Sequence, residues 1–231
     1  MVRILHIETT TEFCSAAIFD DGAEICHKVA SSEWSHASSL MPLIDELFTS
    51  AGIEKSSLNA VSVSSGPGSY TGLRIGVSTA KGICYALNIP LIAVGSLHIV
   101  AEGMSSAINY NEKNIIIPMV DARRMEVFAA IYDSNVKEIK PPFPWIIDAD
   151  SFNDFENKNV FLGGNGAEKL KQIYVNSENI AFIDENFHDA KFAGKIAFEK
   201  FQNKEFVNLA YFEPDYGKDF VPGKPSVKGL K

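Results

Sequence analysis

The sequence predicts an α/β fold made of two successive β-β-β-α-β-α units. Three observations carry this expectation. Short apolar runs alternate with amphipathic ones instead of clustering by type. The order of these runs begins again about halfway along the chain. A small, polar stretch from Gly103 to Asn114 separates the halves, so the expected subdomains are 1–104 and 105–231, the second with a frayed tail.

In the first half, Val2 to Ile7 reads as a buried strand, Thr9-Thr10-Thr11 as a polar turn and Phe13 to Phe19 as a second strand. Asp20-Asp21-Gly22 is a hairpin turn leading to a third strand, Ala23 to Val29. Ser35 can cap a helix from His36 to Ala51, which Gly52 ends. Ala60 to Val63 is a strand, Leu73 to Leu87 an amphipathic helix, and Pro90 to Val94 one more strand. In the second half, Ile115 to Val120 and Met125 to Tyr132 are strands about a turn at Asp121-Ala122-Arg123-Arg124. A short polar strand covers Val136 to Ile139, and Pro141-Pro142-Phe143-Pro144 breaks the pattern. A short helix from Ser151, a strand at Val160 to Leu162, a helix from Ala167, a strand at Ala181 to Ile183 and a helix at Ala190 to Gln202 complete the order. Two such units in succession are the plan of a duplicated ribonuclease-H-like fold, shared by the actin-like ATPase (ASKHA) superfamily of actin, hexokinase and the Hsp70 ATPase.

Composition narrows the function. The 231 residues are 46% hydrophobic and 22% charged, an ordinary globular balance. The net charge of −8 argues against a chain that grips nucleic acid alone. Arg123-Arg124 and the stretch from Lys191 to Lys204 are its basic candidates. Cys14, Cys26 and Cys84 form no Cys-x-x-Cys pair and read as reduced, mostly buried thiols. Met1 to Ile7 is a strand pattern, not a leader, and no apolar run approaches the ~20 residues of a membrane span. The expectation is a cytoplasmic protein with no membrane contact.

The most informative segment is Gly66-Pro67-Gly68-Ser69-Tyr70-Thr71-Gly72-Leu73-Arg74, between a strand and a helix. Its glycines permit close backbone approach, and a helix N-terminus favours an anion. No Lys-Ser/Thr follows, so it is no Walker A loop, and its spacing is not Gly-x-Gly-x-x-Gly. The segment resembles the signature of the bacterial TsaB (YeaZ) family. Glu8-Thr9-Thr10, the helix from His36 to Leu47, Asp121-Ala122-Arg123, Gly163-Gly164-Asn165-Gly166-Ala167 and Glu213-Pro214-x-Tyr216 are similar to further family segments. Glu8 stands where Asp is more usual, and the second half diverges more.

The resemblance implies a non-catalytic partner of TsaD in threonylcarbamoyl transfer to adenosine 37 of tRNA, with the ATPase TsaE as a third protein. It implies a homodimer when alone, and contact with tRNA only through the complex. No cofactor and no metal are expected. TsaD carries two metal-binding histidines four residues apart, and those positions fall here on Ser96 and Val100, with His98 between them. There is no His-Glu-x-x-His and no Gly-x-Ser-x-Gly. The superfamily's nucleotide cleft would correspond to Glu8, Thr9 and Thr10, to Asp121, and to Gly163 and Gly164, but the second turn lacks glycine, so the cleft is expected to be vestigial. Leu40, Leu43, Ile44 and Leu47, with Phe48, form an apolar stripe, flanked by His36, Ala37 and Met41. The following helix is lean, with Gly76 and Ala80. The resemblance makes these two helices the partner interface. Arg123, Arg124 and Lys218 are candidate tRNA contacts. Two alternatives belong to other classes: an active metal-dependent TsaD-like transferase or peptidase, and an ATP-dependent small-molecule kinase.

Overall fold

A computed structural model describes residues 1–30 and 36–217. Two five-stranded sheets carry the fold. β1 (Arg3–Glu8), β2 (Ser15–Asp20), β3 (Ala23–Val29), β4 (Ala60–Ser64) and β5 (Leu91–Val94) form the first, in the order β3-β2-β1-β4-β5. β6 (Asn114–Asp121), β7 (Glu126–Asp133), β8 (Glu138–Ile146), β9 (Asn159–Gly163) and β10 (Ile180–Ile183) form the second, in the order β8-β7-β6-β9-β10. In each sheet the first strand runs antiparallel to the second and parallel to the fourth, so the topology repeats and the duplicated ribonuclease-H-like fold stands.

The helices are duplicated only in part: one follows the last strand of each sheet, whereas the two earlier helices of the first half correspond to single 3₁₀ turns in the second. α1 (His36–Ala51) and α2 (Tyr70–Leu87) cover the outer face of the first sheet. α3 (Ser96–Ala107) packs on the second sheet through Leu97, Val100 and Met104, and α4 (Gly194–Gln202) packs on the first through Ile196 and Ala197. The two therefore lie between the sheets.

Several sequence expectations need correction. α3 did not appear in the expected order, and it takes in Gly103, whose bare Cα abuts the Phe187 ring. α2 starts three residues before Leu73 because Ser69 Oγ accepts the Gly72 N–H at 3.3 Å and so caps it. The helices expected from Ser151 and Ala167 are single 3₁₀ turns, Asn153–Phe155 and Glu168–Leu170. After Leu170 and Tyr174 reach the core, the run Val175-Asn176-Ser177 gives a helix little support. The helix expected from Ala190 begins as a 3₁₀ turn and becomes α-helical only at Gly194. The triple proline does not break the chain: it lies in β8, an edge strand paired only with β7. There proline's missing N–H faces outward, and a register shift between Ala129 and Ile131 absorbs Pro141 and Pro142. The Ser35 cap and the tail lie outside the described residues.

Candidate functional site

The end of β1 and the turn after it form the floor between the lobes. Strand alternation sends His6 and Glu8 of β1, and Ser62 and Ser64 of β4, to the inner face of the first sheet. All four are buried. Glu8 Oε1 accepts the Thr10 N–H at 2.7 Å and the Thr10 hydroxyl, while its Oε2 accepts the Ser64 hydroxyl. His6 Nε2 lies 3.2 Å from Ser64 Oγ, and His6 Nδ1 lies 2.9 Å from Ser62 Oγ. With the Ser64 proton given to Glu8, His6 must donate from Nε2 and accept from Ser62 at Nδ1, which assigns its tautomer. Burial holds His6 neutral, with its pKa lowered to about 3. Burial also raises the Glu8 pKa, against the hydrogen bonds from Ser64 and Thr10.

This chain includes a serine, a histidine and a carboxylate, yet it is no hydrolytic triad. The serine sits between the other two, donates to the carboxylate and has no path to solvent. Nor are Glu8 and Thr9 part of an open phosphate site, which corrects the expectation that they line a nucleotide cleft. Both are fully buried, and the Thr10 N–H that would meet a phosphate already meets Glu8.

The glycine signature has a packing cause. A Cβ on Gly72 would lie 1.9 Å from the Thr9 carbonyl oxygen, and one on Gly76 would lie 2.3 Å from Thr9 Oγ1. The two glycines let α2 rest on the first turn, where the Thr9 hydroxyl donates to Gly72 O at 2.8 Å. Ser69 N–H is taken by Thr10 O at 2.7 Å, and Gly72 N–H by Ser69 Oγ. The free anion-binding donors expected at this helix start are therefore partly occupied. Gly66 has φ +114, and its missing Cβ makes room for Asp215, whose N–H donates to Ser65 O at 2.7 Å. The C-terminal segment thereby crosses the loop formed by Gly66, Pro67 and Gly68. Arg74 grips it, with Nε donating to the Tyr216 hydroxyl at 3.0 Å and the guanidinium lying over Tyr70.

Between the lobes opens a cleft of about 730 Å³, lined among others by Thr10, His36, Gly68, Ser69, Tyr70, Thr71, Arg123 and Tyr216. His36, the first residue of α1, turns its side chain to the cleft and not to the outward face of the helix, with Nε2 2.7 Å from Thr11 O. Across the cleft, Asp121 pairs with Lys169, and its N–H donates to Asn165 Oδ1 at 3.0 Å. Gly163 packs under Met104, and Gly164, at φ +87, lies against the Met119 backbone. Arg123 and Arg124 are exposed at the tip of the β6–β7 hairpin. Lys218 lies outside the described residues.

The expected interface needs its main correction in α1 and α2. Leu40, Leu43, Ile44, Leu47 and Ala80 are buried in this chain's own core, and Gly76 is buried against Thr9. An apolar stripe seeks the sheet first, and this one is fully taken up there. What faces outward is Met41, at 45% exposure, with Pro42, and on α2 Ser78, Gly82 and Tyr85, the last at 83%. In α3, Ser96 Oγ accepts the Gly66 N–H at 3.1 Å, Val100 is in the core, and His98 stacks on Tyr132 at 5.4 Å. These residues do not fit a catalytic metal. Among the described residues no group of three His, Cys, Asp or Glu side chains could hold one. No described helix is long and apolar enough to cross a membrane.

Two lobes of repeated strand topology about a cleft define a protein of the duplicated ribonuclease-H-like fold. The family model described as TsaD, tRNA N6-adenosine threonylcarbamoyltransferase, matches residues 28–213. The chain is 35% identical over 132 residues to the tRNA threonylcarbamoyladenosine biosynthesis protein TsaB of Escherichia coli, covering 57% of this chain and 55% of that protein. It is 30% identical over 204 residues to the TsaB of Buchnera aphidicola from Schizaphis graminum, covering 77% of this chain and 90% of that one. Among solved structures, YeaZ from Pseudomonas aeruginosa shares the fold, with a TM-score of 0.77 and 23% identity, over 94% of this chain and 100% of that one. Within the wider group that the TsaD model describes, the chain belongs to the TsaB (YeaZ) family.

Proposed function

We propose that this chain is a non-catalytic subunit of the machinery that makes threonylcarbamoyladenosine on tRNA, acting as the partner that organises TsaD. The observation that carries this reading is the segment Ser96–Val100. At the two positions where TsaD would place metal-binding histidines, one residue holds the glycine-rich loop and the other fills the core. A catalytic metal needs about three converging protein ligands and an open position, and this segment supplies none.

The surface suited to the partner is the outward face of α1 and α2. Met41 and Pro42 offer apolar area, and Gly82, with nothing within 4 Å of its would-be Cβ, allows a partner helix to approach closely. TsaD docks there through its equivalent helices, and a second copy of this chain docks there when TsaD is absent. TsaE joins the larger assembly, and tRNA is reached through it. The closed first turn supports a vestigial nucleotide cleft. The test is to purify the chain with TsaD of the same organism and measure tRNA modification with and without it. Co-elution and a modification rate that depends on this chain are the expected results. Full activity of TsaD without it, or activity of the chain alone, overturns the reading.

A further inference from the structure

The chain has four arginines, and they divide sharply. Arg3 forks onto Asp20, with Nε and Nη2 each 2.8 Å from a carboxylate oxygen. Arg74 is held by Tyr216 and Tyr70. Arg123 and Arg124 are exposed, and among the described residues neither guanidinium has a hydrogen-bond or ion-pair partner. Their backbone is unusual as well. Both sit in the left-handed region, at φ 72 and φ 50, where glycine and asparagine are the favoured residues. Two neighbouring arginines are held in a conformation that opposes them, and nothing within the described fold uses their charge. Strain of this kind accumulates where a side chain serves a ligand.

The surroundings favour an anion. Two carboxylates line the cleft: Asp121, already occupied by Lys169 and by the Arg123 N–H at 3.1 Å, and the exposed Glu12, which belongs to the facing first turn and not to the hairpin tip. The hairpin tip leans over the mouth of the cleft, where Arg123 joins Tyr70, Tyr216 and His36. A planar guanidinium matches phosphate oxygens in a two-pronged contact, and a pair on one short tip spans adjacent phosphates. A free nucleotide is the weaker fit, because the facing turn presents Glu8 behind an occupied N–H and Arg124 lies outside the cleft lining.

We infer that the β6–β7 hairpin tip is a phosphate-backbone contact for RNA, adding two charge-assisted contacts to a complex whose main basic surface lies on the partner. This rests on the chain being a subunit of a tRNA-modifying complex. It identifies which part of an acidic chain faces the polymer.

The test uses the double variant Arg123→Asn/Arg124→Gly in the full chain, assembled with TsaD of the same organism. Its tRNA affinity is measured across salt concentrations, beside Arg123→Lys/Arg124→Lys. Losing two phosphate contacts should weaken binding about 10-fold at physiological salt and flatten the log–log salt slope by about 1.4 to 1.8. The lysine pair should keep the slope. The Asn/Gly variant should melt no lower than wild type, since those residues suit the backbone, so the loss cannot be laid to misfolding. If no complex forms, the proposed function fails on its own. The inference is then read from the isolated chain at low salt, where the same variant must still weaken tRNA binding. Unchanged affinity and slope overturn the inference. So does a variant that loses affinity for ATP while keeping its affinity for tRNA.

Discussion

Replacing His188 by Leu should make the protein more stable and less sensitive to acid. His188 is 2% exposed, and neither ring nitrogen has a hydrogen-bond partner. It sits where the chain passes between the sheets, flanked by Phe187 in one core cluster and Ala190 in another. A buried donor or acceptor without a partner costs about 1–3 kcal/mol. Leu is close to His in volume and carries no such group, so a gain of that order is expected at pH 7.5. The pH dependence is sharper evidence. Burial lowers the His188 pKa to about 4, while an unfolded histidine titrates near 6.5. Its contribution is therefore full above pH 6.5 and lost as the pH falls toward 4, because the unfolded state takes up the proton first. Each pH unit in that window costs about 1.4 kcal/mol, so roughly 2 kcal/mol is lost between neutrality and pH 5. His6, lowered to about 3 by burial with a small opposing pull from Asp189, loses a similar amount over the same window. Wild type should thus lose about 4 kcal/mol from this pair by pH 5, and His188→Leu about half of that. Urea unfolding at pH 7.5 and pH 5.0 on both proteins gives the difference directly. A variant less stable than wild type at pH 7.5, or one with the same acid loss, would refute the account.

On α1, Leu43→Glu should unfold the chain, because Leu43 is buried in the core, whereas Met41→Glu should leave the melting curve near wild type and weaken self-association and TsaD binding, as read by light scattering and co-elution. Gly72→Ala should cost about 3 kcal/mol or more, because the methyl would enter the Thr9 carbonyl and lift α2 from the first turn; circular dichroism melting checks this, and a shift of under 2 °C would refute it. Glu8→Gln should be far milder than Glu8→Ala, since the chain to Ser62 can reverse its donors around a glutamine, while alanine strands the buried Thr10 N–H and leaves a void beside Ser64; unfolding free energies from urea titration should differ by about 2 kcal/mol. Elemental analysis of the purified chain should find no stoichiometric zinc or iron.

Apart from α3, the first half of the fold was legible because its strands and first two helices carry clean periods and strong stops. His36–Ala51 is bounded as the pattern gives it, since Gly52 takes φ +64 just beyond the last apolar position. The second half was less legible for physical reasons. β8 hides its prolines on an open edge, where a central-strand rule does not apply. The turns at Asn153–Phe155 and Glu168–Leu170 hold the sheet with a few large side chains, Phe152, Leu170 and Tyr174, which leave no helical period to read. The polar chain behind the cleft did leave a signal. His6 and Glu8 alternate in one apolar strand, as Ser62 and Ser64 do in the next, so a polar stripe on one face of the sheet could have been drawn from sequence.

The proposed partner face follows the opposite logic, which explains why periodicity pointed away from it. The apolar stripe of a helix marks its direction of greatest burial, and in α1 that direction belongs to the chain's own sheet. A surface that must stay soluble alone and still dock cannot be the most apolar face of its helix. It is marked by what remains on the other side. On α1 that is one large flexible side chain, Met41, beside a proline, and on α2 a run of small residues closed by Tyr85. Exposure at those positions becomes visible only once the core has claimed Leu40, Leu43, Ile44 and Leu47. For the same reason Met41→Glu, and not a substitution in the stripe, is the variant expected to separate the proposed docking from folding.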